Sequence, residues 1–153
     1  MSKVLIFLLF LFPLYSYGQI KIDKAGDGWD LKIDSALSLI KTVDLQKYEL
    51  LDSVCQEISF WVSDFSSNEL SKEGIGRIYV ATGDVKLGSI NNLAVVLVHE
   101  SLHLLFLRKG LDLHPVLEEN LCYRYELEFI KKLPNVEPWL ELHTLRQIQL
   151  TQQ

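Results

Sequence analysis

Residues 93–107 are apolar at every position except His99, Glu100, Ser101 and His103. A run of this length and character reads as a helix buried in the middle of a domain, so the rest of the chain must fold around it. Ser89 or Asn91 is placed to cap its start. Gly110 ends it, with Arg108 and Lys109 in the last turn, where cations suit the helix dipole. The four polar side chains are the anomaly. Burying Glu100 as an unpaired charge would be expensive. Either neighbours satisfy these groups in a plain core helix, or the groups share a task.

His99-Glu100-Ser101-Leu102-His103 is an H-E-x-x-H motif. Residues four apart lie on one helix face, so both imidazoles can address a single metal ion. Neutral imidazoles suit zinc, and two of them leave room for a third ligand and a water. Glu100 is offset by about 100° around the helix, which sets its carboxylate beside such a water rather than on the metal. There it would serve as general base toward a water whose pKa zinc lowers.

The stretch 96–105, VLVHESLHLL, resembles the extended zincin signature: an uncharged flank, H-E, two uncharged residues, H, then an uncharged and a hydrophobic residue. Zincins are zinc metallopeptidases, and the resemblance covers roughly residues 75–133. It implies Zn2+ held by His99 and His103, Glu100 as the catalytic base, and a peptide or protein substrate. It also implies a strand before the motif helix that forms the upper rim of a cleft, a part residues 77–81 would play. The metzincin branch requires a third His six residues after the second. Lys109 stands there, so that branch is excluded.

The gluzincin branch takes a Glu from the following helix. Projecting residues 116–133 at about 100° per residue puts Asn120, Arg124, Glu128, Lys131 and Lys132 on one polar arc. Glu119 and Glu126 fall opposite, among Cys122, Phe129, Ile130 and Leu133. Gluzincins carry a small residue one turn after the ligand, and Glu119-Asn120-Leu121-Cys122 is similar. The resemblance therefore favours Glu119 as third ligand and Glu126 as a residue orienting a ligand imidazole, with Glu118 and Glu126 as rivals for the ligand position. The connection from His103 to Glu119 is short for this branch and implies a minimal version of it. Tyr123, one turn after Glu119, is the nearest donor to a developing oxyanion, and His143 is the other. Each also suits packing with a wet polar tip. Asp112 and His114 lie in the connecting loop, where His114 before Pro115 reads as exposed or capping.

The remaining pattern predicts an α+β domain. Residues 20–23 read as a short strand and 30–42 as a helix with Ile33, Leu37 and Ile40 on one face. Asp44 reads as the cap of a longer helix, whose stripe Tyr48, Leu51, Cys55, Ile58, Val62 and Phe65 keeps helical spacing. Residues 66–76 are polar and read as a loop. The RIYVA run at 77–81 is the best strand signal, placed at the edge of a small mixed sheet that would bind an extended substrate by strand addition. Helices over 116–133 and 138–149 complete the domain.

At the N-terminus, Lys3, an apolar core through Phe12 and the small residues Ser16 and Gly18 have the form of an export signal cleaved after Gly18. The competing reading, a membrane anchor, needs a span of about 20 residues, and Pro13 breaks the core short of that. Removing 18 of 153 residues leaves 135, the size of one domain with a modest core. It also removes Lys3 and moves the formal net charge from −5 to −6. An acidic chain without a Lys/Arg cluster argues against a nucleic-acid partner. The expected location is periplasmic or secreted. In an oxidising compartment Cys55 and Cys122 would form a disulfide or remain two buried thiols. Zinc-dependent peptide hydrolysis is the reading the motif favours. The alternative is a non-catalytic module that keeps zinc, or only the zincin fold, and presents the cleft to a partner.

Overall fold

The computed structural model describes residues 18–24 and 26–152. Apart from Gly18, the segment read as an export signal lies outside them. The architecture is α+β and mainly helical, with one four-stranded mixed sheet. The strands are β1 (Lys21–Ile22), β2 (Glu57–Trp61), β3 (Ser67–Leu70) and β4 (Gly76–Ala81). The helices are α1 (Trp29–Val43), α2 (Leu45–Val54), α3 (Thr82–Leu87), α4 (Ile90–Arg108), α5 (Pro115–Ile130) and α6 (Pro138–Leu150).

α4 is the motif helix and the centre of the molecule. Its buried residues run from Leu93 to Phe106 with few gaps, because α1, α2, α5 and the sheet all pack on it. By length and composition α4 could cross a membrane, but most of it is buried inside the fold. Ser89 caps it by accepting from the Asn92 amide at 3.1 Å. At the far end Gly110 takes a positive φ of 62°, and the Leu111 amide reaches back to the Phe106 carbonyl at 3.0 Å, closing the last turn.

The sheet order is β1-β2-β4-β3. β1, β2 and β4 run parallel, and β3 is antiparallel to β4. Two expectations are corrected here. Residues 77–81 are not the edge: β4 lies between β2 and β3, and Ile78, Val80 and Ala81 are buried. The edge beside α4 is β3, in the segment expected to be a loop. Polar side chains suit that position, since one long side of β3 has no partner strand among the described residues.

The long helix after Asp44 is also corrected. Asp44 does cap α2, accepting from the Lys47 amide at 3.3 Å, but the helix stops at Val54 and Cys55 is extended. Residues 57–61 instead pair with both β1 and β4. Val62 and Phe65, the far end of the assumed stripe, are exposed. α3 follows β4 directly, starting at Thr82. Cys55 and Cys122 are buried free thiols.

Gly76 marks where β4 passes the end of α2. A Cβ there would run into the Val54 carbonyl oxygen. That same oxygen accepts from Arg108 of α4 at 3.0 Å, so three elements meet where no side chain fits.

Candidate metal centre

Helical spacing puts His99 and His103 one turn apart on α4, and their Nε2 atoms lie 3.2 Å from each other. Both Nδ1 atoms are already engaged by α5. His99 Nδ1 meets Glu126 Oε2 at 2.7 Å, and His103 Nδ1 meets Glu118 Oε1 at 2.6 Å. A carboxylate on Nδ1 fixes the ring and holds a proton at that nitrogen, so that in the neutral imidazole the Nε2 lone pair would point forward. Glu119 lies between these two glutamates in sequence and faces that gap. Its Oε1 is 3.4 Å from His103 Nε2 and its Oε2 is 3.5 Å from His99 Nε2.

Each of the three rival glutamates thus has its own place. Glu119 faces both Nε2 atoms, while Glu118 and Glu126 hold one Nδ1 each. Glu126 is itself anchored, since its Oε1 accepts from the fully buried Thr144 hydroxyl of α6 at 2.5 Å. Thr144 was not singled out from the sequence, although Leu140, Thr144 and Ile148 form a buried stripe at i, i+4 spacing.

The electrostatics follow from this crowding. Burial resists charging His99, but hydrogen bonds to Glu119 and Glu126 outweigh it and hold the imidazole up, at about 10. His103 is raised in the same way, against burial, by Glu119 and Glu118. Hydrogen bonds from His103 and His99 push the Glu119 carboxyl well below the usual range. With Glu100 beside them, four carboxylates surround two imidazoles, and no Lys or Arg lines the cleft among the described residues.

These residues fit a zinc ion. Two imidazole nitrogens and a carboxylate converge with their outer partners in place, and that donor set suits zinc. The ligand atoms of His99, His103 and Cys122 also lie within 4.8 Å of one another. Cys122 is the poorer third ligand. Its side chain is fully buried, and burial, then Glu119 and Glu118 nearby, push its thiol up. Glu119 brings a negative charge without losing a buried proton.

The centre opens into a cleft of about 770 Å³. α4 forms its floor, residues 64–68 one wall, and Trp139 and His143 of α6 the other. Tyr123 lines it with its ring tilted against His99, centroids 4.8 Å apart. Burial, then Glu119, pushes its phenol up, so the hydroxyl keeps its proton as a donor. Asp112 and His114 are exposed and do not line the cleft.

Asn68 of β3 is the residue the sequence did not disclose. Its amide nitrogen donates to Glu100 Oε2 at 2.6 Å across 32 positions of chain, and no local signal points to it. The expected polar arc of α5 is also corrected at Asn120. That side chain is buried beneath α6, donating to the Ile148 carbonyl at 3.1 Å and to Thr151 Oγ1 at 2.9 Å. No protein-family model matches the chain, and comparison with the curated proteins finds no match.

Proposed function

We propose that this protein is a zinc-dependent peptidase. The observation that carries the reading is the convergence of both Nε2 atoms and the Glu119 carboxylate, with each Nδ1 tied to a separate glutamate. His99, His103 and Glu119 would hold the ion. When bound, zinc supplies a Lewis acid that lowers the pKa of a water and stabilises negative charge.

The chain's own residues do the rest. Glu100, on the cleft-facing side of α4 and one residue from a ligand, accepts the proton of the attacking water and passes it to the leaving amine. Its Oε1 has no hydrogen-bond partner among the described residues and is available for that exchange. Tyr123 and His143 both line the cleft and supply donors toward the developing oxyanion. The unpaired side of β3 takes an extended peptide as an added strand.

Purified protein is expected to carry one zinc per chain and to lose it in His103→Ala. Glu100→Gln is expected to keep the zinc while hydrolysis of a peptide library falls by about 100-fold or more. Undiminished hydrolysis in Glu100→Gln would remove Glu100 as the base. A zinc-loaded wild type that cleaves no peptide would leave the binding module as the reading.

A further inference from the structure

We infer that Asn68 is a positioning residue that ties the base to the strand on which substrate docks. The inference rests on the peptidase reading above and goes beyond it by joining two of its parts in one residue.

β3 and β4 are paired in the register Ser67 with Tyr79, Asn68 with Ile78 and Glu69 with Arg77. One residue past β3, the Ser71 amide donates to the Ile75 carbonyl at 2.9 Å. In an antiparallel ladder the backbone groups of successive residues point alternately toward and away from the partner strand. Ser71 points toward β4, so Ser67 and Glu69 do the same, and the amide and carbonyl of Asn68 face the open edge. Side chains alternate between the two faces of the sheet. Glu69 lies on the face away from α4, where its carboxylate accepts from the Tyr79 hydroxyl at 2.7 Å. Asn68 lies on the face toward α4, where its amide nitrogen meets Glu100.

Asn68 therefore offers its main chain to an incoming peptide and its side chain to the base. The Glu100 carboxylate has no other hydrogen bond among the described residues, so among them Asn68 is its hydrogen-bonding anchor. A substrate strand paired at Asn68 is held in register with the base by a single residue. Misplacement of about 1 Å in such a site costs on the order of 100-fold in rate.

The test compares the zinc-loaded wild type with Asn68→Leu and Asn68→Asp. Both variants keep the outline of the side chain; Leu carries no donor, and ionised Asp only accepts. The expected result is a kcat lower by about 10–100-fold, KM within about twofold, one zinc per chain and a melting temperature close to wild type. In nuclear magnetic resonance spectra, the Asn68 side-chain amide of the wild type is expected to be shifted and slow to exchange, and to lose both properties in Glu100→Ala. Unchanged kcat in both variants overturns the inference, as does a kcat loss accompanied by loss of zinc or of melting temperature. An Asn68 amide indifferent to Glu100→Ala also overturns it, with or without activity. If the zinc-loaded wild type turns over no peptide, the peptidase reading fails separately. The amide signal then decides whether Asn68 holds Glu100.

Discussion

Each imidazole of the centre is held at its rear nitrogen by a glutamate from α5, and for His99 that hold continues through Glu126 to Thr144 of α6. The negative charge on Glu126 makes the His99 ring a stronger donor to a cation. Glu126→Gln keeps the shape and one acceptor but loses the charge. It is expected to weaken zinc binding by on the order of 10-fold, measured by competition with a chromogenic chelator, while the fold stays intact. The pairing of His99 with His103, and the offset of Glu100 from them, were legible at this scale because helical period alone produces them. Asn68 was not, because its partner lies 32 residues away. Asn120 was misread for the same reason: its polar surroundings on α5 gave no sign that α6 would cover it.

At the scale of elements, the boundary between α2 and β2 is the instructive case. Cys55, Ile58, Val62 and Phe65 continue the helical spacing of α2, yet residues 57–61 also alternate as a strand does. Short apolar stretches satisfy both periods, and here pairing with two neighbouring strands decided between them. The same pairing moved 77–81 from the edge to the interior of the sheet, where Ile78 and Val80 are buried while Arg77 and Tyr79 stay half-buried on the other face. Gly76 is the hinge of this arrangement. Gly76→Ala would force the start of β4 away from the Val54 carbonyl, whose backbone cannot yield as a flexible side chain could. The expected cost is about 2–3 kcal/mol, seen as a lower urea midpoint with an unchanged slope.

At the scale of the whole molecule, the centre joins α4 and α5 through the pairs that His99 and His103 make with three glutamates. Glu118, Glu119 and Glu126 of α5 all turn toward α4, so removing positive charge from between them leaves carboxylates crowded together. An ion that binds only the folded state stabilises it by about 2.7 kcal/mol at 100 times its dissociation constant. For a domain of this size that corresponds to a rise of roughly 10 °C in melting temperature. Zinc is expected to produce such a rise in wild type and a chelator to reverse it. His103→Ala should show neither, as read by differential scanning fluorimetry.

By itself the sequence determined that α4 lies at the centre and that His99 and His103 share one of its faces. Both follow from composition and period within a single helix, which three or four residues suffice to set. Only the tertiary structure decided which glutamate faces the Nε2 atoms, which strand is the open edge and which side chain holds Glu100. Those answers depend on how α5 and β3 are set against α4, between residues 15 to 32 positions apart. No local pattern records that distance, because it is fixed by packing of surfaces drawn from the whole chain.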